Sequence, residues 1–506
     1  MRQMRSHGAG RNEATPKRAP PSGARTPNLR SNCLSYVEVL AQSISVIAPS
    51  TVPAAILGLI FATAGSGTWL SFLLGMIGLV LVSFNINQFA RRSASPGSLY
   101  TYIVRGLGPT AGVLGGWALL FGYTLTGMST LCGFAIIAGL LLGQIGVHLP
   151  VLALFAFGAI GACYIAFRDI QLSAKMMLIF EGAALALILV LGFVIWRFKG
   201  FAVDASQLTL KDATPGGVLM GVVLVVFGFS GFEASTSLGE EAKDPLRTIP
   251  RSVIQSVVVS GLVFIFMAYV VILGFEGSSA SLDKTEAPLA FLADRIGWGW
   301  LGALINVGIL LSFFSCTLAS INSTARIAFS MARHGLFFDA LGEAHAINET
   351  PYIAVGISAL ITFAVPAILF LCGVPAFEGQ GYFGTLCSFG FLLVYILISI
   401  AAPMYLKSIG KLTRSAVLYS GLALGFMMLP FIGTIGLPGS SLFPPMEFPT
   451  SLLFGLFAAY MAIGLCWLLM QKSRHPKMIP TMRNAIESVD LQFAAPANAS
   501  PNISAR

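Results

Sequence analysis

The chain has 506 residues, of which 56% are hydrophobic and 10% charged, and its formal net charge is +9. Soluble domains carry roughly 25% charged residues, so too little charge is present to cover a water-facing surface, and a soluble enzyme is excluded. The apolar content excludes disorder as well, and repeated apolar blocks of about 20 residues leave a polytopic membrane protein.

Residues 1–35 are rich in Arg, Pro, Ser and Gly without apolar periodicity, and are expected to form an unstructured tail. The first apolar block, from Tyr36, is too long for a cleavable signal peptide and lacks a small-residue cleavage site followed by a soluble domain. Spans are predicted at 36–64, 69–90, 109–143, 149–167 and 174–197, a first block of five within residues 36–198. A second block of five, within 199–407, has spans at 215–239, 251–275, 299–332, 351–373 and 382–406. Two additional spans, 415–436 and 449–471, occupy 408–471, and residues 472–506 are expected to be a second unstructured tail. The spans are apolar on all faces and lack the alternation of barrel strands, which predicts an all-α polytopic membrane protein with twelve transmembrane helices.

Twelve spans put both termini on one side. With the N-terminus cytoplasmic, that side carries 25 of the 30 Lys and Arg residues, leaving Arg197, Lys199, Lys211, Lys284 and Arg295 outside. This asymmetry predicts a multi-pass protein of the cytoplasmic (inner) membrane with both termini cytoplasmic, and the basic charge then needs no nucleic-acid partner. The seven cysteines are scattered without metal-ligand spacing and read as small hydrophobes, so no metal or cofactor is expected. No HExxH, GxSxG or P-loop pattern is present, which argues against a membrane enzyme.

Two spans are interrupted. The first contains Pro49-Ser50-Thr51-Val52-Pro53, and two prolines four residues apart remove two backbone donors and clash with preceding carbonyls, so the helix should break there. The sixth contains Phe227-Gly228-Phe229-Ser230-Gly231-Phe232-Glu233 within a run of Val and Leu. Backbone groups freed in hydrocarbon cost several kcal/mol unless they line an enclosed cavity, so paired breaks in two five-span blocks point to a substrate site. A half-helix N-terminus suits a carboxylate and unwound carbonyls suit an ammonium, the combination a zwitterion needs. The competing reading is kinks or close helix packing.

The segment Gly228-Phe229-Ser230-Gly231-Phe232-Glu233-Ala234, continuing to Gly239-Glu240-Glu241-Ala242-Lys243-Asp244-Pro245, resembles the sixth span and following loop of the amino acid-polyamine-organocation (APC) permeases. Ser95-Pro96-Gly97-Ser98-Leu99-Tyr100 and Met331-Ala332-Arg333-His334-Gly335 resemble other cytoplasmic signatures of that family. The resemblance implies a LeuT-type fold, a 5+5 inverted repeat with two additional helices, working by alternating access. It also implies that the backbone around Pro49, Ser50, Thr51 and Val52 holds a substrate carboxylate. Phe227, Gly228, Ser230 and Gly231 then face the amine, with Phe227 as an aromatic gate. Tyr123, Thr126, Ser312, Cys316 and Thr385 are further cavity candidates.

Glu181 and Glu233 fall well inside spans, and an ionised carboxylate there must be paired, hydrated or protonated. Both are candidates for proton coupling, with a structural hydrogen bond as the alternative for each. Ser312, Ser315 and Thr317 leave sodium open as the driving ion. The loop with Glu240 and Glu241 reads as a cytoplasmic gate that pairs with Arg91, Arg92 or Arg105, or else as a solvated linker. The leading expectation is a secondary active transporter importing an amino acid through the lipid bilayer, with a proton as co-substrate. An amine carrier or an exchanger is the sister reading, and a channel or a sensor the reading from another class.

Overall fold

The computed structural model describes residues 28–285, 287–440, 442–443, 445, 448–476, 478–480 and 482–486. They form α1 (Tyr36–Ile47), α2 (Thr51–Ala55), α3 (Leu57–Ala64), α4 (Thr68–Ala90), α5 (Leu99–Leu107), α6 (Pro109–Gln144), α7 (Val151–Arg168), α8 (Ile170–Phe198) and α9 (Ala205–Leu208). There follow α10 (Pro215–Gly228), α11 (Pro245–Phe275), α12 (Pro288–Arg295), α13 (Gly299–Arg333), α14 (Tyr352–Leu371), α15 (Ala376–Ser408), α16 (Arg414–Ile435) and α17 (Ser451–Arg474). Several start at a proline, whose missing N–H is one of the orphan donors of a first turn in any case.

Among the described residues, 11 segments are long and apolar enough to cross a membrane, with α1 and α2 counted as one and α3 and α4 as another. The protein is thus all-α and its helices are those of a multi-pass membrane protein. The span expected at 215–239 departs from this pattern. Its helix, α10, stops at Gly228 after 14 residues, because the chain turns through Phe229–Glu233 and continues as a 3-10 turn over Ala234–Leu238.

The most extensive helix interface joins α6 and α15, followed by α6 with α13. Small residues permit it: a Cβ at Gly390 would lie 2.6 Å from the Ala118 carbonyl oxygen, so only glycine allows these backbones to meet. On the other side α4 packs against α10 and α11. Helices α16 and α17 are the most exposed of the spans and pack on the outside of α15.

Two stretches assigned to unstructured tails are built into the fold. Residues 28–35 lead into α1, where Ser35 and Glu38 form a capping box with the Ser35 N–H and hydroxyl each 2.7 Å from Glu38 Oε2. Just before it, the Cys33 and Leu34 N–H groups donate to the Glu241 carbonyl at 2.8 and 2.9 Å. Residues 478–480 and 482–486 are helical. The rest of both expected tails, 1–27 and 487–506, lies outside the described residues.

Candidate functional site

The first break has an unexpected geometry. Helix α1 ends at Ile47, and the residue in the left-handed conformation is Ala48, at φ 48° and ψ 61°, rather than either proline. A side chain at that backbone conformation stores strain of about 1–2 kcal/mol. Thr51 answers it by donating both its N–H, at 2.9 Å, and its hydroxyl, at 2.8 Å, to the Ala48 carbonyl. Pro53 breaks nothing: it falls in the first turn of α2, where no backbone partner for its nitrogen is needed.

In the second break Gly231 takes φ +85°, and the Ser230 N–H donates to the Phe227 carbonyl at 3.1 Å. The two breaks face one another. A Cβ on Gly228 would lie 3.2 Å from Val52 of the first, and one on Gly231 would overlap the Val46 side chain. Phe227, half-buried, rests on Gly384 of α15, where a Cβ would come within 2.7 Å of the ring. Cys316 of α13 donates to the Val46 carbonyl at 3.2 Å, so a thiol satisfies one acceptor beside the first break.

Glu181 and Glu233 are each bonded at one of the breaks. Glu181, on α8, accepts from Ser50 at 3.4 Å through Oε1 and from Ser312 at 2.7 Å through Oε2, joining the first break to α13. Glu233 is fully buried and accepts from Tyr123 of α6 at 2.8 Å and from Tyr395 of α15 at 2.6 Å. The Tyr395 oxygen itself accepts from the Gly231 N–H at 3.0 Å. Glu233 is thereby held by phenols from two neighbouring helices, where a half-helix start would have supplied backbone N–H groups.

Not every expected cavity residue points to the breaks. Thr126 donates to Gly122 of its own helix at 2.9 Å, and Ser230 to Val226 at 3.4 Å. Ser315 donates to Ser45 at 2.9 Å, while Thr317 donates to Phe313 and shares a hydrogen bond with Thr130, so the three hydroxyls offered to sodium are engaged with protein groups. Pro49 is buried at the turn, and Thr385 is half-buried on α15. Tyr395 is the partner the sequence reading missed. A phenol in an apolar span needs a buried acceptor, and Glu181 and Glu233 are the carboxylates that the sequence places well inside spans.

The loop acids find a different partner from the one expected. Glu241 Oε1 accepts from Arg326 Nη2 at 2.6 Å and Nε at 2.9 Å, with both side chains buried. Arg326 Nη1 is taken up by Asn322, whose own amide donates to Ser173 of α8 at 2.7 Å. Arg91 and Arg92 make no ion pair with this loop among the bonds described. Arg92 caps Gln88 and Arg105 reaches the Ile486 carbonyl instead. Asp244 and Arg247 form an exposed pair at 3.7 Å, the solvated linker of the alternative reading.

The sequence matches the family model described as amino acid permease over residues 38–475. Similar proteins include the branched-chain amino acid permease BcaP of Bacillus subtilis, 25% identical over 70% of this chain and 76% of that protein. The low-affinity putrescine importer PlaP of Escherichia coli is 25% identical over 79% and 84% respectively. Cationic amino acid transporter 4 of Mus musculus is 24% identical over 66% of this chain and 54% of its own length. With interrupted helices that face each other, buried acids bonded to both, and a family match across nearly all of the spans, the chain belongs to the amino acid permease family of membrane transporters.

Proposed function

We propose that the chain is a secondary active transporter that carries an amino acid across the cytoplasmic membrane by alternating access, coupled to protons. The architecture that goes with this reading is LeuT-type: twelve spans in a 5+5 inverted repeat with two additional helices, both termini cytoplasmic. The observation that carries it is the apposition of the two breaks, Val46 and Val52 against Gly231 and Gly228, with one buried acid bonded to each side. The substrate carboxylate meets the backbone of Pro49, Ser50, Thr51 and Val52. The amine meets the turn from Phe227 through Gly231, whose Phe227 carbonyl keeps a second lone pair, and the Phe227 ring covers the site.

Glu181 and Glu233 carry the proton in this reading. Protonation of Glu181 changes its bonds with Ser50 and Ser312, and so the contact of the first break with α13. Protonation of Glu233 changes its bonds with Tyr123 and Tyr395, which tie the second break to α6 and α15. Loading a proton therefore alters how both interrupted helices are held against their neighbours, which is what coupling requires.

Uptake of labelled amino acids into proteoliposomes of the purified protein tests this. Uptake should follow an inward pH gradient without sodium. Glu181→Gln or Glu233→Gln should lose that dependence while exchange persists. Uptake that needs sodium and ignores the gradient overturns the coupling. An amine carrier is the second reading, supported by a carboxylate beside the site and by similarity to a putrescine importer. Excess unlabelled putrescine that abolishes amino acid uptake would favour it.

A further inference from the structure

The seam between α7 and α14 carries a feature that transport leaves unused. The two helices pack on each other, and both are candidate spans with most of their apolar surface outside the protein interior. They share one end: the Thr350 hydroxyl and the Asn348 amide, just before α14, donate to the Phe167 carbonyl near the end of α7 at 2.8 and 3.2 Å. Further into the spans a cleft of about 170 Å³ lies between them.

The cleft is built from one face of each helix. Its lining positions are 156, 159, 160 and 163 of α7 and 356, 359, 360 and 363 of α14, the spacing of a single helical stripe in both cases. The buried Ala159 and Ala359 form its floor, and the exposed Ile160 and Leu360 form its rims. None of the lining side chains is charged, and an apolar space of roughly 150 Å³ stays dry and accepts a hydrocarbon guest. A Cβ on Gly356 would meet nothing within 4 Å, although glycine is among the least favourable residues of a helix interior. Nothing in this chain fills the gap that Gly356 leaves.

A cation stands above the cleft. Ile160, Tyr164 and Arg168 follow one another at intervals of four along the same face of α7. Arg168 Nη1 donates to the Tyr164 hydroxyl at 2.9 Å and the guanidinium lies 6.0 Å from the Tyr164 ring centroid, so the side chain leans back along the helix toward the cleft. The neighbouring Asp169 is taken by Arg30 at 3.1 Å, and the exposed Arg168 has no acid partner among the bonds described. Cys163, the lining residue of α7 nearest to Arg168, is five residues away, or about 7.5 Å along the axis. The headgroup layer on each side of a bilayer is roughly 5–7 Å deep. One end of the site is therefore at the level of phosphates and the other at the level of acyl chains.

We propose that α7 and α14 form a binding site for one anionic phospholipid, with its phosphate on Arg168 and an acyl chain in the cleft. A headgroup of net negative charge suits the single unpaired cation, whereas phosphatidylethanolamine brings an ammonium of its own. The opposite face of α14 meets α6, where a Cβ on Gly127 would lie 3.3 Å from Thr362, so the bound chain backs a helix that packs against the centre of the protein. The site requires only that α7 and α14 lie in the bilayer, and is independent of substrate and coupling ion.

Native mass spectrometry of the delipidated full chain, titrated with phosphatidylglycerol or with phosphatidylethanolamine of the same acyl chains, tests the site. The wild type should retain one phosphatidylglycerol, about fivefold more tightly than phosphatidylethanolamine, the effect of one basic residue beside an anionic lipid. Arg168→Gln should abolish this preference and Arg168→Lys should keep most of it. Gly356→Leu, which fills the cleft, should weaken both lipids several-fold. Gly421→Leu on α16, where a Cβ also meets nothing within 4 Å, should change neither. Equal retention of the two lipids by the wild type, wild-type binding in Arg168→Gln or Gly356→Leu, or an equal loss in Gly421→Leu would reduce the bound molecules to ordinary boundary lipid and overturn the site. A dimer that Gly356→Leu dissociates would assign the cleft to a second copy and overturn it as well. If Gly356→Leu does not fold, the Gln against Lys comparison at Arg168 remains decisive.

Discussion

Arg326 grips a single oxygen of Glu241, at 2.6 and 2.9 Å, while the other oxygen of the same buried carboxylate has no partner among the described residues. Such a pair contributes little net stability yet is costly to halve. Arg326→Met should destabilise the protein by about 3–5 kcal/mol, because it leaves a buried carboxylate without its cation. The double variant Arg326→Met/Glu241→Leu should be less destabilised than the single. Thermal unfolding in detergent measures both, and a double variant at least as unstable as the single would contradict the account.

Gly231 should tolerate no side chain. At φ +85° any L-residue is strained, and a Cβ there would overlap Val46. Gly231→Leu is expected to abolish substrate binding while the protein still inserts in the membrane. Val46→Ala should not rescue it, since the added space leaves the backbone strain in place. Binding measured by isothermal calorimetry at wild-type affinity would remove this break from the site.

Tyr395 serves two partners and Tyr123 one acceptor oxygen of Glu233. Tyr395→Phe strips the Gly231 N–H of its acceptor and Glu233 of a donor, which should cost about 1–3 kcal/mol for each group left unsatisfied. Tyr123→Phe should be milder. The order of melting temperatures, wild type above Tyr123→Phe above Tyr395→Phe, is the check.

Glu240 lies in the loop beyond the second break. Burial, then the charge of Glu241, raises its carboxyl from 4.5 to about 7, against the opposing Arg333 and Arg326. The fold therefore favours the neutral form. Its contribution is complete below pH 4.5 and is lost as pH rises through about 7. Glu240→Gln should raise the melting temperature at pH 8 and leave it nearly unchanged at pH 5. A variant less stable than wild type at pH 8 would reverse the sign.

Exposed positions at opposite ends of the spans test the orientation. In a cysteine-free background, a cysteine at Ser279 should react with an impermeant thiol reagent in intact cells, and one at Ser408 should not. The reverse pattern would invert the proposed topology.

The helices were legible because each is a long apolar run ended by charge, Gly or Pro, and the predicted bounds of α6, α7 and α13 lie close to the structural ones. The places of the two breaks were legible for a related reason: Pro49 and the glycines at 228 and 231 are the residues a continuous helix tolerates least. Their detailed geometry was not, since the left-handed residue is Ala48, whose conformation is set by what Thr51 does with its carbonyl. Partners of buried charges were also hidden. The separation of Glu241 from Arg326 is 85 residues, and no local pattern announces a contact across that distance. The tail helix escaped notice because Pro480, Arg483 and Asn484 break its apolar residues into stretches too short to read as a span, and their stripe matters only once α5 and the end of α13 offer a surface.

The bonds of Glu233 also impose an order on biosynthesis. Tyr123 precedes Glu233 by 110 residues, so one phenol is already in place when the acid leaves the ribosome. Tyr395 follows it by 162 residues. At ordinary rates of synthesis that interval is on the order of ten seconds or more. Through it a nascent permease holds a carboxyl that has only one of its two partners, and the second break cannot settle, because the Gly231 N–H awaits the same oxygen. The proposed substrate site is therefore among the last parts of the protein to be completed, and a chain stalled before α15 would carry most of its helices but no finished second break.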